Sequence, residues 1–168
     1  MRTETPKTIY LKDYEPPHYM ATHIDLVFKI FDDRTEVTAK TQFKKNHNGN
    51  KDLVLNGEHV ELKSVKIDGK DTDHDADDKF LTVKTPGNEF TLEIETVIDP
   101  ANNTRLEGLY KSGGNWCTQC EAEGFRTITY FPDRPDIMAT FRVRIEADKK
   151  TCPVLLSNGN LIEEGDLD

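Results

Sequence analysis

The sequence has few of the features that define several common protein classes. It contains three cysteines in 168 residues, so a disulfide framework is excluded and one thiol must be left over. No run of about 18 apolar residues exists, which excludes a predicted transmembrane helix. The opening residues, MRTETPKTIYLKDYEPP, contain no apolar segment typical of a secretory signal. These absences predict a protein of the reducing cytoplasm that does not contact a membrane.

Positive charge is also in short supply. Lys and Arg total 22 against 31 Asp and Glu, which gives a formal net charge of -9. A charge of this sign argues against a nucleic-acid partner, because phosphate backbones select basic surfaces. The length and the 35% hydrophobic content predict a single globular domain, residues 1–168, that can bury a core without covalent staples.

A sustained apolar period of 3.6 residues is missing, so very little helix is predicted. Apolar residues instead alternate with polar ones in THIDLVFKIFDD, and EVTAKTQFKK alternates in the same way, which is typical of half-buried strands. Further strands are predicted at 53–55, 61–67, 80–84, 89–98, 126–131, 140–149 and 152–160. The predicted fold class is therefore all-β, an antiparallel β-sandwich or a curved sheet.

Other stretches are less regular. Residues 99–116 are expected to form a long loop or a broken strand, and PDRPDIMA to hold one helical turn. The sequence ends at NLIEEGDLD, just past an Asn-Gly turn that would normally lead into a partner strand. This pattern predicts a domain truncated before its last strands.

Cys117-x-x-Cys120 has the spacing of half a tetrahedral zinc site. The remaining ligands would have to come from scattered residues, namely Cys152, His18, His23, His47, His59 and His74. A redox role would need the pair at a helix N-terminus, and no helix is predicted there. Ordinary half-buried thiols are the favoured interpretation, and no metal site is predicted in this chain.

An acidic run, DGKDTDHDADDKF, places aspartates at alternate positions and resembles the start of a calcium-binding loop. Counting from Asp71, the positions that need Gly and Glu hold Ala76 and Thr82 instead. The flanking segments are predicted strands, not helices. A solvated acidic hairpin is therefore expected.

No catalytic apparatus is recognisable: H-E-x-x-H, G-x-S-x-G and Walker motifs are all missing. If the segment after Cys117 is extended, Gln119, Glu121 and Glu123 share one face. A carboxylate beside an amide oxygen suits a primary ammonium, because the first supplies charge and the second accepts an N–H. Alternatively, Glu121 or Glu123 forms a structural salt bridge with Arg126 or Arg105.

The run GLYKS…CTQCEAEGFR…DRPD carries a specific family resemblance. Together with DYEPPHYMATHIDLVFKIFDD, LVLNGEHVELKSVKIDG and CPVLLSNGN, it closely resembles the N-terminal domain of the bacterial aminopeptidase N family, zinc metallopeptidases of the gluzincin class. The match covers nearly the whole chain, and the acidic hairpin matches least.

The resemblance implies a saddle-shaped β-domain that precedes a catalytic domain. In that family the zinc ligands, the general base and a G-A-M-E-N motif lie in the catalytic domain, so the zinc cofactor and the catalytic residues are expected outside this chain. The family's Gln-x-Glu pair matches Gln119 and Glu121. Glu121 is thereby expected to bind the α-ammonium of a peptide substrate, and Gln119 to line the side of its first side chain.

A different class of function is a stand-alone β-sandwich module that binds carbohydrate or protein. A sugar platform usually needs several aromatic side chains, and Trp116 is the single tryptophan. The peptidase interpretation is therefore preferred, with the isolated chain expected to be catalytically inactive.

Overall fold

A computed structural model describes residue 8 and residues 10–46, 51–84 and 87–167. The strands, in chain order, are β1 (Tyr19–Ile30), β2 (Thr35–Lys45), β3 (Leu53–Asn56), β4 (Glu61–Ile67), β5 (Lys70–Asp71), β6 (His74–Ala76), β7 (Phe80–Val83), β8 (Glu89–Ile98), β9 (Gly108–Ser112), β10 (Asn115–Gln119) and β11 (Thr140–Ala147). Two short 3-10 turns span Leu11–Asp13 and Phe125–Thr127, and the described residues contain no α-helix. The all-β prediction is confirmed.

A six-stranded sheet with the order β11-β1-β2-β8-β4-β5 forms the body of the domain. The long strands β1, β2 and β8 alternate buried with more exposed side chains, as their period of two predicts. Between β4 and β5 the chain reverses through Asp68 and Gly69, both with positive φ, the backbone that an Asp-Gly hairpin turn requires.

The pairing of β1 with β11 departs from the predicted antiparallel arrangement. These strands run parallel, with Ile24 opposite Phe141 and Phe28 opposite Ile145. A tight hairpin cannot join parallel strands, and here most of the domain intervenes between the two. The prediction was wrong at this pair because alternating apolar and polar residues indicate that a strand forms, but not which strand pairs with it or in which direction.

Two smaller sheets accompany the first. One has the order β3-β7-β6, and the other is the β9–β10 hairpin. Buried side chains from all three sheets, including Ile24, Leu55, Leu81, Leu92 and Leu109, belong to one hydrophobic cluster. The hairpin that leads to Gln119 is therefore fixed to the main core.

Several predicted elements were wrong. Residues 126–131 form no strand beyond an isolated bridge between Asn56 and Phe131, because the chain turns through Phe125–Thr127; residues 127–131 are buried. Residues 152–160 find no ladder partner in the part of the chain that the structure describes, and Val154 and Leu156 remain 71% and 85% exposed. Of the two alternatives expected for 99–116, the broken strand is the nearer one, since this stretch contains β9 and the start of β10 with a turn at 113–114 between them.

Within PDRPDIMA the structure has a single reversal, closed by the Ile137 amide donating to the Arg134 carbonyl at 3.2 Å, and no helical turn. Among the described residues, no helix has the length and apolar character needed to cross a bilayer. The extent of the domain, its truncation and its cytoplasmic location stay predictions.

Candidate functional site

Gln119 and Glu121 lie at the end of the β9–β10 hairpin. Gln119 is the last residue of β10, and Glu121 is the first residue of a turn over 121–124. Both are exposed, and the Gln119 side-chain nitrogen is 3.4 Å from the Glu121 carbonyl oxygen. The Gln119 side chain therefore reaches the backbone of Glu121, and both residues lie on the surface at the same end of the hairpin.

The geometry that brings them together differs from the predicted one. An extended segment through 119–123 would have placed Gln119, Glu121 and Glu123 on one face, but the strand ends at Gln119. The Gly124 amide then donates to the Cys120 carbonyl at 2.8 Å and closes the turn. The prediction of an extended segment was wrong because backbone hydrogen bonding within the turn replaces the ladder.

Gly124 allows this turn to fold tightly. A Cβ at this position would lie 2.6 Å from the Gln119 carbonyl oxygen and 2.9 Å from the Cys120 Cα atom. The Gly124 carbonyl accepts from the buried Thr127 hydroxyl at 2.8 Å. The turn is therefore packed against its own entry strand and tied to the segment that follows.

Arg126 connects the turn to two other segments. Its Nε donates to Asp133 Oδ2 at 3.0 Å, and its Nη1 and Nη2 lie 3.6 Å from Glu58 and Glu123 carboxylate oxygens. The Arg126 side chain is 11% exposed, so this is a largely desolvated cation surrounded by carboxylates. Such a pair is well fixed when its hydrogen bonds are satisfied.

The alternative interpretation was that Glu121 or Glu123 forms a structural salt bridge with an arginine, and the structure shows which of the two does so. Glu123, and not Glu121, pairs with Arg126. In the part of the chain that the structure describes, the Glu121 carboxylate forms no ion pair. The acidic group that the resemblance assigns to ammonium binding is thus the one left open to solvent.

Cys117 and Cys120 are free, half-buried thiols. Burial, with a smaller contribution from the Asp133 charge, raises the pKa of the Cys120 thiol to about 11. A thiol in this environment is protonated at neutral pH and is a poor nucleophile. Cys120 therefore acts as part of the packing beneath the turn.

Within the described ranges, no group of three or more His, Cys, Asp or Glu residues is arranged to hold a metal ion. His47, one of the candidates, lies outside these ranges. The acidic run forms exposed hairpins, where Asp75 pairs with Lys84 at 2.7 Å and Asp77 accepts two backbone amides. This is the solvated acidic hairpin that the sequence predicted.

A cavity of about 740 Å³ lies elsewhere, between the end of β8 and the segment after β3. Its lining includes Glu58, His59 and Tyr130 but neither Gln119 nor Glu121. We therefore assign the candidate site to the open turn, because the Glu121 carboxylate has no ion pair among the described residues, whereas most carboxylates of the cavity have partners within the chain. Glu58, for example, already contacts Arg126.

Sequence reasoning missed Asp133. It lies seven residues after Arg126, which is itself part of the Phe125–Thr127 3-10 turn, and its carboxylate accepts the Arg126 Nε. Its carboxylate also accepts the Arg126 backbone amide at 3.1 Å. The signal available in the sequence was the acidic residue in the DRPD part of the family signature.

The fold and the site define an all-β domain that presents an amide and a free carboxylate on a well-anchored surface turn. The chain belongs to the Peptidase M1 N-terminal domain family, whose model matches residues 15–168. The resemblance noted in the sequence is confirmed at this level.

Two curated relatives carry the name aminopeptidase N. The protein from Caulobacter vibrioides is 48% identical and aligns with all of this chain and 20% of its own length. The protein from Escherichia coli is 46% identical and aligns with 99% of this chain and 19% of its own length. The chain thus spans about a fifth of the curated relatives it matches.

Solved structures give the same picture. Legionella pneumophila aminopeptidase A in complex with aspartic acid matches with a TM-score of 0.86 and 35% identity, over 94% of this chain and 19% of that chain. A mutant M1 zinc metallopeptidase from Deinococcus radiodurans bound to a Tyr-Ser-Ala substrate matches with a TM-score of 0.67, over 77% of this chain and 33% of that chain. At 17% identity, the second match shows the shared fold alone.

Proposed function

We propose that this chain is the N-terminal domain of a zinc aminopeptidase that removes N-terminal amino acids from peptides. In this proposal it lends Gln119 and Glu121 to the site that holds the first residue of the substrate. The observation that carries the proposal is the free, exposed Glu121 carboxylate beside Gln119, at the positions where the family resemblance puts a Gln-x-Glu pair.

The chemistry of the pair suits a peptide amino terminus. The Glu121 carboxylate supplies a negative charge, and the Gln119 side-chain oxygen is free to accept one of the three ammonium N–H groups. An amide nitrogen within a peptide carries no such charge, so a fixed carboxylate selects chain ends. Binding at a fixed distance from the reacting carbonyl also orients the substrate, which lowers the entropic part of the barrier.

The turn is open on one side, so the site needs a second surface. We infer that the catalytic domain of the same enzyme supplies that surface and the zinc ion. The described residues offer no set of ligands that fits zinc, so no catalytic step is assigned to this chain.

The proposal is tested by Glu121→Gln in an aminopeptidase that contains this chain. This substitution keeps the size of the side chain and removes its charge. We expect KM for an aminoacyl substrate to rise and kcat to fall, each by roughly tenfold, because both affinity and alignment are lost.

The matched control is Glu164→Gln, an exposed glutamate on the segment after β11. It changes the net charge by the same amount and is expected to leave both constants within about twofold, since an exposed charge is screened by water and salt. Identical kinetics for the Glu121→Gln variant and the unsubstituted enzyme would refute the anchoring role.

A further inference from the structure

The cavity at the end of β8, which contains neither Gln119 nor Glu121, carries a second cluster of polar groups. Its volume of about 740 Å³ is within the range typical of small-molecule sites. Its walls include the segment after β3, the turn between β6 and β7, the end of β8 and Tyr130. The Gly57 amide donates to the Lys79 carbonyl at 2.9 Å and ties the first two of these walls together. Backbone hydrogen bonding therefore forms the cavity without a ligand.

The lining of this cavity has more acidic than basic side chains. Its cations are Arg34 and Lys79. The acidic side chains outnumber them and are Glu58, Glu61, Asp77, Asp78 and Asp99. Arg34 pairs with Asp33 and Glu36, which lie outside the lining, so its charge is already matched by other carboxylates.

Three of the lining carboxylates have no cationic partner. Two of the five belong to ion pairs, but Asp77, Asp78 and Asp99 form none in the described ranges. Asp77 and Asp99 instead accept hydrogen bonds from neighbouring amides, whereas the Asp78 carboxylate accepts none from a described residue. Lys79 also forms no ion pair among these residues. Three unpaired carboxylates beside one unpaired ammonium leave the cavity negative, which favours a cationic ligand.

Tyr130 brings a buried hydroxyl to the cavity. The residue is 5% exposed, and its ring lies so close to Gly57 that a Cβ at position 57 would overlap two ring carbons. Among the described residues, the Tyr130 hydroxyl has no hydrogen-bond partner. Burial, followed by the charges of Asp77 and Asp78, raises the pKa of this hydroxyl, so it lies on the acidic side of the cavity. A buried phenol without a protein partner is stabilised by a ligand that donates a hydrogen bond to it.

These groups suit an organic ammonium better than a metal ion. The described residues include no group of three or more His, Cys, Asp or Glu side chains arranged to hold a metal. An ammonium has three N–H donors, so it can pair with a carboxylate and also donate to a phenol oxygen. Val60, Val97 and Ile98 also line the cavity and offer apolar surface to an aliphatic stem.

We propose that this cavity binds a small aliphatic amine, with the Asp78 carboxylate and the Tyr130 hydroxyl contacting its ammonium group. A free molecule is the preferred occupant, because a cavity of about 740 Å³ is larger than a single lysine side chain requires. The site is separate from the turn that carries Glu121 and does not depend on the proposed function of that turn.

The binding test titrates the 168-residue chain with cadaverine, a five-carbon diamine, in a calorimeter. The control ligand is the diol of the same length, which has hydroxyl groups in place of the charges. We expect saturable binding of the diamine and no binding of the diol, because the lining favours positive charge. Equal affinities for the two ligands would overturn the assignment to an ammonium.

Two variants locate the bound amine. Asp78→Asn removes the unpaired charge and should weaken cadaverine binding roughly tenfold, since a charge-assisted hydrogen bond is lost. Tyr130→Phe keeps the ring against Gly57 and should weaken binding roughly fivefold through loss of one hydrogen bond. Asp73→Asn is the matched control, because Asp73 is exposed on the same acidic segment but outside the lining, and it should change the affinity by less than about twofold. Equal affinities for all three variants would overturn the proposed contacts.

A third ligand distinguishes the two sources of an aliphatic ammonium. Nα-acetyl-lysine amide carries the group on a peptide unit, as a lysine of a protein partner would, and we expect it to bind more weakly than cadaverine. Tighter binding of the lysine derivative would overturn the assignment to a free amine. If neither amine binds saturably to the unsubstituted chain, the site itself is refuted.

Discussion

At the scale of single residues, whether a side chain near the turn is paired, exposed or buried depends on the segment that faces it. Glu123 meets a buried cation, whereas Glu121 two residues earlier meets solvent. Cys120, which directly precedes Glu121, packs against the hydrophobic cluster. Three residues within four consecutive positions thus have three different chemical environments.

Cys120 should resist alkylation. Because burial raises its pKa to about 11, roughly one thiol in a thousand is ionised at pH 8. We expect iodoacetamide to modify Cys117 and Cys152 first, as followed by peptide mass spectrometry. Between pH 8 and pH 10 the rate at Cys120 should rise about tenfold per pH unit, in step with its thiolate fraction. Labelling of Cys120 as fast as Cys117 at pH 8 would contradict this environment.

Gly124→Ala should destabilise the domain by about 1–3 kcal/mol, because the added methyl group meets backbone atoms that cannot rotate away. Thermal or urea unfolding of the 168-residue chain measures the change. Gly165→Ala is the matched control, since no atom lies within 4 Å of its Cβ position. Equal free energies of unfolding for the two variants would mean that the turn makes room for a methyl group at position 124 without loss of stability.

At the scale of elements, the segment before β1 is attached to the region between Phe131 and β11. The Tyr14 hydroxyl donates to Asp136 Oδ2 at 3.0 Å, and Arg134 Nη2 donates to the Glu15 carbonyl at 2.9 Å. Arg134 also pairs with Asp136 at 2.7 Å. These contacts hold the segment just before β1 against the segment that follows residue 131.

This attachment should depend on pH. The hydrogen bond from Arg134, supported by that from Tyr14, lowers the pKa of Asp136 below its ordinary value of 3.8. A lowered carboxyl pKa means that the stabilisation is complete above pH 3.8 and is lost as the pH falls through the native pKa. We expect NMR contacts between Tyr14 and Asp136 to weaken only below that value, and Tyr14→Phe to lose the hydrogen bond at every pH. Weakening between about pH 7 and pH 5 would contradict the assignment.

Elements with clear alternation could be predicted from the sequence, because one face of β1, β2 and β8 is buried and the other is not. The structure of residues 127–131 could not be predicted, because a continuously buried run has no period that separates a strand from a coil. The parallel neighbour of β1 is not encoded locally either. For the site, Gln119 and Glu121 came from family resemblance, while the turn that joins them depends on the room that Gly124 leaves.

At the scale of the whole molecule, we propose that this chain supplies substrate-binding residues and that another domain of the enzyme carries out catalysis. We expect the 168-residue chain, supplied with zinc, to show no hydrolysis of an aminoacyl chromogenic substrate, because its described residues provide no ligand set for the metal. The measurement is the release of chromophore, with an aminopeptidase that contains this chain as the positive control. Saturable turnover that a chelator abolishes would contradict the proposed division of labour.

The parallel pairing of β1 with β11 also determines when the domain can fold. His23 and Thr140, which face each other across this ladder, are 117 residues apart in the chain. At about 5–20 residues per second, a ribosome needs roughly 6 to 24 s to synthesise the intervening length. During that interval the edge of β1 that β11 later occupies is unpaired. Other strands can pair with this edge incorrectly until β11 has been synthesised. The long sequence separation between β1 and β11 therefore makes the pairing of these two strands a late step of folding during synthesis, and the step most open to mispairing.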